Sequence, residues 1–183
     1  MTNDVLDRKL SRAFAHFDTD GSGHLESQDF VDLGSRMLAA FGEPATSPKG
    51  TAVMSGLVDF WTALSAELDR AKDGRIDLAE YQQGMRRLYV EGKAYDTTFR
   101  PLAQAVVELI DTDGDGTVSR QEFHTAQRVF DGGLGEAAAQ EAFARIDSDG
   151  DGQLTVDEFE TAIREYYTDP SDQAAGNVLF GRL

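Results

Sequence analysis

The chain has no cysteine, only four prolines in 183 residues and no long apolar run. Without cysteine there is no disulfide framework, no thiolate zinc site and no cysteine nucleophile. The longest apolar stretches are far too short to cross a bilayer. The segment MTNDVLDRKL shows neither the apolar core of a secretory signal nor a Gly at position 2 for myristoylation, so the expected compartment is the cytosol. Positive charge is scarce: 17 Lys+Arg stand against 33 Asp+Glu, a net of −16. Such a surface repels phosphate backbones and anionic membranes, so neither nucleic acid nor membrane is an expected partner. There are three histidines, and no nucleophile-plus-base pattern or phosphate-cradling glycine loop, so no enzyme is expected. What is present is 40% hydrophobic and 9% aromatic residues, enough for a globular chain with a buried core. Arg outnumbers Lys by 13 to 4, a composition of GC-rich, bacterial genomes.

The acids are not spread evenly. Four twelve-residue windows repeat one pattern: DTDGSGHLESQD (18–29), DRAKDGRIDLAE (69–80), DTDGDGTVSRQE (111–122) and DSDGDGQLTVDE (147–158). Each follows an apolar residue (Phe17, Leu68, Ile110, Ile146) and precedes an aromatic one (Phe30, Tyr81, Phe123, Phe159). They hold 17 of the 33 carboxylates and four basic residues, a net of −13, which leaves −3 for the rest of the chain. Crowding of that kind opposes folding unless a cation binds. A solvated helix face would scatter its acids instead of placing them at fixed offsets around a glycine.

Helical periodicity fills the intervals. Leu6, Leu10, Phe14 and Phe17 form one face of a first helix, with Thr2 or Asn3 as its cap. Phe30, Leu33, Met37, Leu38 and Phe41 mark a second, and Val53, Leu57, Phe60, Trp61, Leu64 and Leu68 a third. Tyr81, Met85, Leu88 and Tyr89 lie on the fourth; Leu102, Val106, Leu109 and Ile110 lie on the fifth, with Pro101 at its start or at a kink. Phe123, Ala126, Gln127 and Phe130 lie on the sixth, Phe143 and Ile146 end the seventh, and Phe159, Ile163 and Tyr166 carry the eighth, which Pro170 stops. GEPATSPKG (42–50) reads as a loop, and EGKAYD (91–96) as a hinge. The fold class is therefore all-α, with eight main helices. Leu25, Ile76, Val118 and Leu154 at the eighth loop position suit short antiparallel pairings, Leu25 with Ile76 and Val118 with Leu154. The organisation follows as 1–92 for a first pair of loops, 93–168 for a second and 169–183 for a tail.

A hard divalent cation of calcium's size takes six to eight oxygens at roughly 2.3–2.6 Å, supplied by loop positions 1, 3, 5, 7, 9 and 12, with Gly at 6 for the turn. The third window offers Asp111, Asp113, Asp115, the Thr117 carbonyl, Ser119 at the often water-mediated ninth position, and Glu122. The fourth offers Asp147, Asp149, Asp151, the Gln153 carbonyl, Thr155 and Glu158. The first has Asp18, Asp20, the weaker Ser22, the His24 carbonyl, Glu26 and Asp29, whose shorter side chain points to weaker binding or to magnesium competition at this site. In the second, Asp69, Asp73, Asp77 and Glu80 remain. Ala71 has no oxygen to give, and Arg70, Lys72 and Arg75 repel a dication, so this window is expected to be a partner of the first and to bind no metal.

With these loops the chain resembles the calmodulin superfamily of EF-hand calcium-binding proteins. More narrowly it resembles the sarcoplasmic calcium-binding protein and calerythrin family, on its degenerate second hand, Asp29, the long gap between the first two loops and the AGNVLFG tail (175–181). The resemblance implies two EF-hand pairs packed as one compact body, three calcium ions in the first, third and fourth loops, and a tail folded on the core. Calcium sensors open a Met-rich groove on binding, whereas buffers barely open. Here there are four Met, none after Met85, against 11 Phe. Val178, Leu179 and Phe180 could fill a groove from within. A monomeric intracellular calcium buffer or transporter is the expectation, and a sensor acting on an unidentified protein target is the alternative. A luciferin-type cavity lined by Trp61 and Tyr89 is the third reading, though their spacing suits a core better.

Overall fold

The computed structural model describes residues 2–90, 99–130, 136–171 and 173–179; the side chains of 2–4, 89, 90 and 130 lie outside it. Eight helices follow one another: α1 (Thr2–Phe17), α2 (Ser27–Phe41), α3 (Pro48–Leu68), α4 (Leu78–Met85), α5 (Arg100–Ile110), α6 (Arg120–Phe130), α7 (Glu136–Ile146) and α8 (Val156–Thr168). A π-helical turn, Arg86–Val90, extends α4, and a 3₁₀ turn, Ala175–Val178, lies in the tail. Between α1 and α2, α3 and α4, α5 and α6, and α7 and α8 run the four acidic loops, each carrying a short strand: β1 (His24–Leu25), β2 (Ile76–Asp77), β3 (Thr117–Ser119) and β4 (Gln153–Thr155). No helix among the described residues is long and apolar enough to cross a membrane.

The strands pair antiparallel in the expected register, Leu25 opposite Ile76 and Val118 opposite Leu154. All four side chains are fully buried, so each pairing hides its apolar residues while satisfying loop backbone. The loops are thereby tied in two couples, first with second and third with fourth.

Among the described side chains, the expected apolar faces turn inward, and aromatic rings join them. Phe17 stacks on Phe30 at 5.3 Å, and Phe60 meets both at 5.8 and 5.9 Å. Phe60 also meets Phe99 edge-on at 4.9 Å, and Phe99 meets Tyr167 at the same distance. A line of rings thus runs from the first helices through Phe99 into α8. Trp61 packs on Phe30 as core and does not line the 70 Å³ apolar cavity between the two halves.

Several boundaries differ from the sequence expectation. The loop expected over 42–50 is shorter, because Ser47 caps α3 by accepting the Gly50 N–H at 2.9 Å and Pro48 opens the first turn. Pro101 sits in the first turn of α5 and makes no kink. The hinge expected at 91–96, the Thr2 or Asn3 cap, and the side chains of Tyr89, Phe130 and Phe180 fall outside the described residues. As expected, α8 ends at Thr168, before Pro170.

Two features lock the tail and the first helix onto α8. Gly176 lies so close to α8 that a Cβ there would overlap the Ala162 carbonyl oxygen and come within 2.8 Å of the Tyr166 nitrogen. Gln127 of α6 donates to the Leu179 carbonyl at 3.1 Å. On the other side, the fully buried Lys9 of α1 donates to the Asp169 carbonyl at 2.6 Å, and the Tyr166 hydroxyl donates to the Lys9 carbonyl at 2.6 Å. The ammonium sits at the C-terminal, electronegative end of α8, which offsets part of its desolvation.

Gly176→Ala is therefore expected to push the tail off α8 and destabilise the protein by about 1–3 kcal/mol, the range for overpacked sites, read by thermal unfolding and by faster proteolysis within the tail. A second expectation concerns His16. Burial, followed by the nearby Arg36 and Arg12, pulls its imidazole from 6.5 down to about 4. Between those values the unfolded chain binds the extra proton, so the contribution of His16 is full above pH 6.5 and is lost as pH falls to about 4. Denaturant unfolding of the metal-free protein should show a fall of up to about 3 kcal/mol over that window, and His16→Gln should flatten that part of the slope.

Candidate metal centre

Each loop starts as a helix ends. Asp18, Asp111 and Asp147 still donate their N–H to the last helical turn, at 2.9 Å in each case, while their carboxylates turn back over the loop. Asp111 accepts from Gly114 and Gly116, and Asp147 from Gly150 and Gly152, in the same two-oxygen arrangement. The glycines at the fourth and sixth positions are left-handed, with φ between 70° and 86° in the first, third and fourth loops.

The loop ends in a carboxylate held from both sides. One oxygen of Glu122 accepts the Thr112 N–H at 2.7 Å and its hydroxyl at 2.6 Å; the other accepts the Ser119 N–H and hydroxyl at 2.9 and 2.8 Å. Glu158 repeats this with Ser148 and Thr155. Asp29 does so with Thr19 and the Glu26 N–H. Burial pushes Glu122 and Glu158 upward, but these hydrogen bonds outweigh it and hold both at about 2. The Ser22 N–H, followed by its hydroxyl, similarly lowers Asp20.

Three clusters result. Carboxylate oxygens of Asp18, Asp20 and Asp29 lie within 4.8 Å of one another, as do those of Asp111, Asp113 and Glu122 and those of Asp147, Asp149 and Glu158. These are the first, third and twelfth positions of the three loops read as metal-binding. The fifth position lies outside the clusters: Asp115 accepts from the Thr117 N–H and hydroxyl, and Asp151 from the Gln153 N–H. Ser22 donates to the His24 carbonyl at 3.0 Å. The Thr117 hydroxyl donates diagonally across the strand pair to the side-chain oxygen of Gln153 at 3.2 Å. Glu26 turns away from its cluster to Arg75 of the second loop, at 2.7 Å. An all-oxygen set that is compact, carboxylate-rich and built on a left-handed turn fits a hard cation of calcium's size and offers no soft ligand to a transition metal.

The second loop keeps the turn but not the cluster. Lys72 takes the left-handed conformation, φ 56°, that glycine holds in the other three. Glu80 accepts from the Arg70 and Asp77 N–H groups, so the twelfth-position anchor survives. Among the described residues no group of three carboxylates gathers there.

The hydroxyls at the second loop position escaped the sequence reading. Thr19, Thr112 and Ser148 each clamp the closing carboxylate of their loop, and the second loop has Arg70 there instead. The signal was present as a Thr, Thr and Ser recurrence in the first, third and fourth loops and its break in the second.

Comparisons agree with this geometry. The EF-hand domain pair model matches residues 66–128, and the EF hand domain model matches 138–166. A calcium-binding protein of Streptomyces coelicolor, named for prokaryotic calcium-mediated regulation, is 33% identical, with 91% of this chain and 99% of that one covered and a TM-score of 0.77. Calerythrin of Saccharopolyspora erythraea is 27% identical over 145 residues, 78% of this chain and 81% of its own. A sarcoplasmic calcium-binding protein from amphioxus has the same fold, with 22% identity, 98% of both chains covered and a TM-score of 0.76.

Replacing Glu122 or Glu158 by Gln removes the charge and one accepting oxygen of the closing carboxylate. Each change is expected to weaken its own loop by about tenfold or more, since ligand charge count tunes such sites over several decades. Glu80→Gln should leave the number of bound calcium ions unchanged in calorimetric titration; loss of one ion would mean that the second loop binds.

Proposed function

The chain belongs to the EF-hand calcium-binding proteins, of the calerythrin and sarcoplasmic type, and from that premise we propose that it acts as an intracellular calcium buffer or transporter. Its ligands are assigned as Asp18, Asp20, Ser22, the His24 carbonyl and Asp29; Asp111, Asp113, Asp115, the Thr117 carbonyl and Glu122; and Asp147, Asp149, Asp151, the Gln153 carbonyl and Glu158. Magnesium competes mainly at the first of these, which has the fewest charged ligands. The loop at 69–80 serves as a structural partner. Residues 1–92 and 93–168 each form an EF-hand pair, and 169–183 is a tail that packs on the core. The protein works as a monomer in the cytoplasm, without catalysis and without nucleic acid or membrane as partners.

The observation that carries the buffer reading is the tail. Val178 and Leu179 are buried, and the Leu179 carbonyl is held by Gln127, so the chain's own residues cover the apolar face of the second pair that a sensor would offer to a target. The remaining surface has little to offer: among the described residues, only Val58 and Leu78 are exposed large hydrophobics, and they stand singly. The second reading, a sensor with a protein target, is favoured by one observation. The Streptomyces coelicolor relative, 33% identical, is named for calcium-mediated regulation.

A dye that fluoresces on exposed apolar surface separates the two. Calcium added to the metal-free protein should lower or leave unchanged the fluorescence of bound anilinonaphthalene sulfonate. A sustained rise at saturating calcium, lost again on chelation, would establish an opened groove and the sensor reading.

A further inference from the structure

Two of the chain's four lysines, Lys9 and Lys49, reach from the first half to a helix end in the second. Lys9 meets Asp169, beyond α8 and away from any loop. Lys49 is different: its ammonium donates at 2.6 Å to the carbonyl of Asp111, which ends α5 and is the first residue of the third loop. The side chain of the same Asp111 belongs to the carboxylate cluster and accepts from Gly114 at 2.7 Å and Gly116 at 2.9 Å. One residue thus joins the ion site to a cation donated by the other half of the molecule.

Lys49 is placed by rigid parts. It lies in the first turn of α3, behind the Ser47 cap. Its neighbour Gly50 packs so tightly that a Cβ would overlap the Pro44 carbonyl oxygen. Further along, α3 lies against α5, where a Cβ on Gly56 would stand 3.3 Å from Leu102. The fourth loop supplies an internal control. Asp147 makes the same bonds to Gly150 and Gly152, at 2.8 and 3.1 Å, yet among the described residues no side chain donates to its carbonyl.

We propose that Lys49 is a positioning residue for the calcium site of the third loop, fixing Asp111 so that ion affinity there depends on how α3 packs against α5. The ammonium meets a carbonyl at the electronegative end of α5 and not a ligand oxygen, so it orders the loop without competing for the ion's donors. The link is reciprocal: calcium in the third loop tightens the contact of α3 with α5, whereas calcium in the fourth does not. This rests on calcium binding in that loop, not on the buffer reading.

The test uses the full chain with Lys49→Met, which removes the donor, and Lys49→Arg, which keeps a cation with donors. In calorimetric titration, Lys49→Met should weaken one calcium site by about five- to tenfold, the lower range of measured coupling between sites. Lys49→Arg should recover most of that loss, and Lys49→Met added to Glu122→Gln should change nothing further. The second readout needs no ion. In metal-free protein, amide exchange at Gly114 and Gly116 should speed up in Lys49→Met, while Gly150 and Gly152 keep their wild-type rates. Equal acceleration in both loops, unchanged exchange in the third, or tighter calcium binding by Lys49→Met would overturn the proposal. If the wild-type third loop took up no calcium, the calcium assignment would fail, and the exchange rates would still decide whether Lys49 orders the loop.

Discussion

Everything in this molecule answers to one electrostatic constraint: three carboxylates gathered within 4.8 Å, three times over. At such separations each pair repels by about 1 kcal/mol in water and by about 3–4 kcal/mol at an effective dielectric near 20. The loop's own backbone supplies part of the compensation. Each first-position aspartate accepts from glycine N–H groups, and each closing carboxylate accepts N–H bonds from the second and ninth positions and a hydroxyl bond from the second, with a second hydroxyl from the ninth in the third and fourth loops. Those bonds hold Glu122 and Glu158 ionised down to about pH 2. The charge is thus kept in place by the fold before any ion arrives, and what the backbone leaves uncompensated is the driving force for calcium.

The second loop shows what remains when that driving force is removed. It lacks the third-position oxygen, and Arg70, Lys72 and Arg75 partly neutralise it, yet it keeps the same turn at the cost of a lysine in the left-handed region. It is retained through the strand pair, Leu25 against Ile76, which needs a partner of matching geometry. The contact of Arg75 with Glu26 crosses the same pair and takes the ninth-position carboxylate of the first loop away from its cluster. Both side chains are largely exposed, so the ion pair adds little stability. Its consequence is for the ion: the first loop has Ser22 in place of an aspartate, and one of its remaining carboxylates is committed to a cation of the neighbouring loop.

Most of the fold could be read from the residues because the loops punctuate it. A helix must end where the loop starts to wrap an ion, so the helix ends before the loops and the pairings of Leu25 with Ile76 and Val118 with Leu154 followed from spacing, while each following helix begins inside its window, three residues ahead of the aromatic, because the closing carboxylate is already part of its first turn. The start of α3 did not, since Pro and Gly in 42–50 read as a breaker while the Ser47–Pro48 pair acts as a cap. The contacts between halves were illegible for a different reason. Phe99 falls outside every periodic stretch, and Lys9 and Lys49 look like ordinary surface cations. Only the packing of α1 on α8 and of α3 on α5 places them at the Asp169 and Asp111 carbonyls. The clamp hydroxyls Thr19, Thr112 and Ser148 are an intermediate case, visible as a recurrence but without meaning until the closing carboxylate is seen between them.

The same packing sets a limit on what calcium can do to the shape. Opening the second pair would uncover at least Phe99, Tyr167 and Leu179, each less than one-tenth exposed. At about 1.5–3 kcal/mol for a buried side chain of this size, that costs about 5 kcal/mol or more before the aromatic contacts are counted. A site of micromolar affinity releases about 8 kcal/mol. An ion that had to open the molecule would therefore surrender most of its binding free energy to do so, whereas one that settles into loops already ordered by their own hydrogen bonds keeps it. Pre-ordered loops, a tail whose Val178 and Leu179 are buried, and rings shared between the halves all act in the same direction, and together they are the physical ground for the buffer proposed above.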